Sequence, residues 1–193
     1  MGLDTDKLDT ASALLQFIDQ SKIPMLTINL LQALPKTPLW DRLEREGRLI
    51  DDEGRDSNVR FLLPYDHVVS EWKRCMEVAY DPVKLFERYD YQCEYTYTNR
   101  VKAPVGGQLT WANIKRALII LRNVFWKVGV LGDYRRVFWK FALKRLRKGD
   151  IEGLLSATLV GHHLVRFAQE ATHGNQNASN YSIRLREAAV PAE

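Results

Sequence analysis

Cysteine is scarce in this chain of 193 residues: Cys75 and Cys93 are the two present, 18 positions apart and with no CxxC spacing. That pair excludes a disulfide scaffold, a four-cysteine zinc ribbon and any iron–sulfur cluster held by three cysteines of this chain. A reducing cytoplasmic compartment is the expectation. Long apolar runs are missing as well. The longest, Ala117–Leu121, falls far short of the roughly 20 residues that cross a bilayer, and acidic residues follow Met1 where a secretion signal would be basic and then apolar. No GxGxxG, Walker A, GxSxG or Cys–His constellation occurs, so nucleotide-phosphate and nucleophilic chemistry have no candidate residues.

What is present is an ordinary globular composition, 46% hydrophobic and 27% charged with five Trp, apolar enough to build a packed core. At about 150 residues per domain the length suits one domain plus a remnant. The net charge of +4 conceals a segregation: residues 1–99 carry −6, residues 100–148 carry +12 with Asp133 as their single acid, and residues 149–193 carry −2. Such a block attracts anionic surfaces over the ~8–10 Å of the Debye length.

Asp9 or Thr10 can cap a first helix with apolar positions Leu14, Leu15, Phe17 and Ile18, ending near Ser21-Lys22. The near-continuous apolar run Ile23–Leu31 then reads as a buried parallel strand. Thr37 is a suitable N-cap and Pro38 a suitable first residue for a helix from Leu39 to Glu46, closed by Gly47. Residues 51–57 read as a polar loop, and 58–64 as either a short strand or an extended arm. Helices are expected from Asp66 to a stop before Pro82, and from Val83 to about Glu94. Pro104-Val105-Gly106-Gly107 is the best internal boundary.

In the basic block Trp111, Ile114, Leu118, Leu121, Phe125 and Val128 form one apolar stripe at 3-4-3-4-3 spacing, with Lys115, Arg116, Arg122 and Lys127 off it. A further helix from about Asp133 aligns Arg136, Lys140, Lys144 and Arg147 along one edge and Tyr134, Phe138, Phe141 and Ala142 along another, and Gly149 caps it. A last helix, Ile151 to about Ala171, precedes a polar tail expected to be disordered.

These helices have three readings. They can lie on an anionic membrane with Trp111, Trp126 and Trp139 at the interface, or track nucleic-acid phosphates. In the third, the stripe packs on the rest of the domain and the cations are merely solvated. His162-His163 lacks the spacing and third ligand of a metal site, since neighbours on a helix point about 100° apart, and no metal is expected. Asp4, Asp6 and Asp9 lack the central Gly and the final Glu of a calcium loop. Capping and loop solvation explain them better.

Gly2-Leu3-Asp4-Thr5-Asp6, the run Leu30-Leu31-Gln32-Ala33-Leu34-Pro35-Lys36-Thr37-Pro38-Leu39 followed by Arg42-Leu43-Glu44-Arg45-Glu46-Gly47-Arg48-Leu49, then Tyr80-Asp81-Pro82 through Phe86-Glu87-Arg88, and a late Gly161-His162-His163 occur in an order with a counterpart. Over about residues 1–167 the chain resembles the C-terminal part of a B12-binding-type radical S-adenosylmethionine (SAM) protein, the end of the barrel plus the uncharacterised domain after it. The resemblance implies a mainly α fold, with an α/β remnant of a TIM-like barrel at 1–49 and a helical domain at 50–172. The tail is 173–193.

The resemblance further implies that Gly2, Leu3, Ala33 and Pro35 are residual adenine contacts of SAM. It makes the intact parent, whose relatives include lipid-modifying, hopanoid-type methylases, the bearer of SAM, a four-iron cluster and cobalamin. This chain has no CxxxCxxC motif and by itself is expected to hold no cofactor and no catalytic residue. Its expected partners are the N-terminal half of such a protein and an anionic membrane surface, contacted by Trp111, Lys115, Arg122, Trp126, Arg136, Trp139, Lys140, Lys144 and Arg147 on the inner face. The alternative is a non-enzymatic helical adaptor that binds a partner subunit or nucleic acid through the same block.

Overall fold

The computed structural model describes residues 1–51, 56–97 and 110–172. They form seven α-helices: α1 (Thr10–Ser21), α2 (Pro38–Arg45), α3 (Tyr65–Ala79), α4 (Pro82–Tyr91), α5 (Trp111–Val124), α6 (Arg135–Arg147) and α7 (Ile151–Thr172). Wider π-type turns prolong α4 over Gln92–Thr96 and α5 over Phe125–Val130. The mainly α expectation holds. The Pro104–Gly107 boundary, part of the 51–57 loop and the tail lie outside the described residues.

Local chemistry explains the helix ends. The Thr37 hydroxyl accepts the Trp40 N–H at 3.2 Å, and Pro38 opens α2. Gly47, at φ +64°, closes it through Gly47 N–H to Glu44 O (3.0 Å) and Arg48 N–H to Leu43 O (2.8 Å), the paired bonds of a Schellman end. Gly149, at φ +69°, repeats the pattern after α6. Asp81 caps α4, accepting from Lys84 N–H at 3.1 Å. At α1 the helix opens on Thr10, whose hydroxyl accepts from Lys7 N–H outside the helix.

Among the described residues there is no strand ladder, only an isolated antiparallel bridge between Leu49 and Val59. The segment Ile23–Leu31, expected as a buried strand, is extended but belongs to no strand ladder. Its exposure alternates: Pro24, Ile28 and Leu30 are buried, while Ile23, Met25, Thr27 and Asn29 face solvent. Side chains take several of its carbonyls. The Trp72 indole donates to Ile28 O (2.8 Å), the Tyr80 hydroxyl to Leu26 O (2.5 Å) and the Gln92 amide to Lys22 O (2.9 Å). A strand is completed by neighbours, and the described residues supply none here.

The chain divides into two compact units. The first takes Met1–Ile18, Thr27–Ala79 and, among the described residues after α6, 167–172. Its buried residues include Ala11, Leu30, Ala33, Leu43, Val59, Val68, Trp72 and Met76. The second takes Asp19–Leu26 and Tyr80–Arg166. Its core joins Leu85, Phe86 and Tyr89 of α4, Val128, Phe138, Phe141 and Ala142, and Leu154, Ala157 and Val165 of α7. At roughly 1.5–3 kcal/mol for each large apolar side chain removed from water, this cluster is what holds α6 in place.

Candidate functional site

In the first unit two of the sequence motifs meet. Asp4 receives Arg48 at 2.6 Å and Arg42 at 2.8 Å, and these hydrogen bonds and charges, Arg48 foremost, hold its carboxyl below the usual range. Asp6 accepts the N–H of Gly2 (2.7 Å) and of Leu3 (3.1 Å), which shapes a loop with Gly2 at φ +96°. Leu31 N–H donates to Met1 O at 2.7 Å, so the Gly2 loop runs beside the Leu31–Ala33 segment. Asn58 clamps Ala33 through both its main-chain groups, at 2.9 and 2.8 Å. Gly2 and Ala33 are buried, and Leu3 and Pro35 are exposed. Asp4 thus serves ion pairs and Asp6 a turn.

The two thiols do not fit a four-iron cluster. Cys75 is fully buried against Ala11 O, and burial pushes both thiols up. Among the described residues no group of three His, Cys, Asp or Glu is placed to hold a metal ion.

In the second unit the basic block exposes more apolar surface than a stripe packed on its own domain would. Trp111 is 79% exposed, Leu118 59%, Trp126 59% and Leu131 65%, whereas Val128 is buried and Phe125 half-buried. The side chains of Ile114 and Leu121 lie outside the description. Trp111, Lys115, Leu118 and Arg122 recur at helical spacing on α5, and all four are exposed.

On α6 the buried stripe Phe138, Phe141, Ala142 and Arg145 is matched by a second, exposed one: Trp139, Leu143 and Leu146 at i, i+4 and i+7. Arg136, Lys140 and Arg147 beside it are exposed. Sequence reasoning missed Leu143 and Leu146, although their spacing from Trp139 was the available signal. Trp139 is partly anchored, its indole N–H donating to Gly129 O at 2.8 Å. The packing at Gly129 is close: an added Cβ would meet Phe138 at 3.0 Å and Trp139 at 3.2 Å.

Lys144 stands apart from the free edge on which the sequence placed it. It bonds Asp90 and Glu94 of the preceding acidic stretch, which also receive buried Arg145, at 2.5 Å for Asp90, and Lys148, at 2.5 Å for Glu94. Part of the +12 block is therefore neutralised internally. Lys148 and Arg145 hold the Glu94 carboxyl down to about 2. His162 is half-buried with its Nδ1 2.6 Å from the Tyr134 hydroxyl, and burial lowers its basicity, with Arg166, Lys127 and His163 adding to the effect.

No described helix is long and apolar enough to cross a membrane. Comparison with known proteins places residues 37–177 in a family described as "Domain of unknown function (DUF4070)". All of the chain aligns at 61% identity with 37% of a protein named hopanoid C-2 methylase from Rhodopseudomonas palustris (strain TIE-1). Over 84% of its length it is 32% identical to 31% of an uncharacterized methyltransferase from Synechocystis sp. (strain ATCC 27184 / PCC 6803 / Kazusa). The chain thus spans about a third of the length of these curated relatives. No solved structure matches it.

Proposed function

Since the chain belongs to the DUF4070 family and corresponds to the C-terminal part of a hopanoid C-2 methylase-type protein, we propose that it serves a radical SAM methylating enzyme with a lipid-like substrate, flanking the barrel and docking it on an anionic membrane. The observation that carries the docking is the exposed face of α6, an apolar stripe edged by Arg136, Lys140 and Arg147. Solvated surfaces ordinarily mix both signs and keep apolar groups scattered. Aliphatic and indole groups enter the lipid boundary while Lys and Arg reach headgroups, the pattern of peripheral binding.

In this reading the barrel end is residues 1–49. The extended segment Ile23–Leu31 supports it, as does the meeting of Asp4 with Arg42 and Arg48, beside the loops carrying Gly2, Leu3, Ala33 and Pro35 as adenine contacts. The cluster and cobalamin belong to the remainder of the enzyme, which is this chain's partner. Alone, the chain is inactive.

Sedimentation with vesicles tests the docking. The chain should pellet with phosphatidylglycerol-containing vesicles and not with neutral ones, and raised salt should release it. The Arg136→Glu, Lys140→Glu, Arg147→Glu triple variant should stay in the supernatant. Equal pelleting of that variant sinks the membrane reading, and tighter binding to single-stranded nucleic acid than to vesicles replaces it with the phosphate-tracking one.

A further inference from the structure

Within the second unit lies a cavity of about 270 Å³ lined by Ile120, Asn123, Lys127, Val128, Thr158, Leu159 and His162. That is far above the ~10–15 Å³ one water requires and close to the smallest ligand pockets, at ~300 Å³. Its composition divides by chemistry. Ile120, Val128 and Leu159 give apolar wall, and buried Val128 and Thr158 form the floor. The Thr158 hydroxyl is spent on Leu154 O at 2.6 Å, which leaves chiefly its methyl to the cavity.

The polar contributors are of one kind. Lys127 is a cation, Asn123 offers an amide, and the His162 ring is oriented by Tyr134. In the tautomer whose Nδ1 accepts from the phenol, the neutral ring carries its proton on Nε2 and has a donor to give. No carboxylate is among the described lining residues, and Lys127 is one of the charges that act with burial to keep the His162 ring from protonating. A cation beside aliphatic walls is complementary to a molecule with one anionic end and one apolar end.

We propose that this cavity is a binding site for a single-chain anionic amphiphile, with its carboxylate or phosphate head at Lys127, Asn123 and His162 and its aliphatic chain against Ile120, Val128 and Leu159. The site goes beyond membrane docking. It takes one molecule from solution, and it uses residues other than the Arg136, Lys140 and Arg147 edge.

Calorimetric titration of the full chain with decanoate and with decyl phosphate, both kept below their micelle concentrations, tests it. At least one should saturate at one site per chain, with a shift of the His162 ring resonances. Decanol, acetate and inorganic phosphate should each bind about tenfold or more weakly, because each lacks one half of the match. Lys127→Gln should weaken binding about tenfold, and Leu159→Trp should abolish it. Both positions are exposed, so the fold should tolerate the changes, and circular dichroism checks that. Saturation by neither amphiphile, decanol binding as tightly, or a Lys127→Gln variant of unchanged affinity would overturn the proposal. The Arg136, Lys140, Arg147 reversal should leave this affinity intact, so loss of docking and loss of the site are separate results.

Discussion

Lys36 has φ +65°, a left-handed conformation that costs an L side chain roughly 1–2 kcal/mol. Glycine would take this backbone shape without strain. Lys36→Gly should therefore raise stability by about 0.5–1 kcal/mol after the extra freedom of an unfolded glycine is subtracted, read as a higher urea midpoint at constant slope. A stability loss would mean that the lysine side chain contributes something its exposed position does not suggest. Glu94 illustrates the opposite situation, a residue whose value depends on partners far along the chain. Its folded pKa of about 2 lies below the ordinary 4.5, so it stabilises the fold fully above about pH 4.5, and the contribution drains away as pH falls toward 2. Acid unfolding of the unaltered chain should steepen across that window, and Glu94→Gln should flatten it.

At the scale of elements, α6 explains why one surface can be read in two ways. Its inner stripe is fixed by the α4 and α7 aromatic and aliphatic contacts, and the outer stripe of Trp139, Leu143 and Leu146 is left over. Leu143 is 47% exposed and Leu146 43%, so changing both to Ser should alter the unfolding midpoint little and yet weaken vesicle pelleting severalfold, if insertion of apolar groups accompanies charge attraction. Unchanged pelleting would reduce the contact to charge alone. What was legible in the sequence follows from range. Thr37-Pro38, Gly47, Pro82 and Gly149 act within one turn, so they marked helix ends correctly. The Asp90–Glu94–Lys144–Arg145 cluster joins residues more than fifty positions apart, and only packing of α4 on α6 reveals it. The π-type turns after α4 and α5 had no local signal, and the cavity depends on α5 meeting α7. Periodicity also assigned the whole α5 stripe to one fate, whereas its two ends differ: Trp111 is exposed and Val128 is buried.

On the scale of the molecule, the extended segment is the place where this chain and its longer relatives should differ most. Ile23, Met25, Leu26, Thr27, Ile28, Asn29 and Leu30 have main-chain N–H groups without hydrogen-bond partners among the described residues, although Ile28 and Leu30 bury their side chains. Period-2 burial combined with idle amides suits a strand that takes up neighbours, the role proposed for this segment above. Side-chain donors from Trp72, Tyr80 and Gln92 hold the carbonyls, so the segment keeps its shape but not its protection. Hydrogen exchange should reveal this directly. In the 193-residue chain these amides should exchange quickly, close to unprotected rates, while α3 and α4 amides on either side of Pro82 exchange slowly. In a protein spanning the full length of the hopanoid C-2 methylase relative, amides at the matching positions should become slow as flanking strands take them up. Equal protection in both would mean that the segment is content as a lone extended arm, and the barrel-remnant reading of residues 1–49 would fall with it.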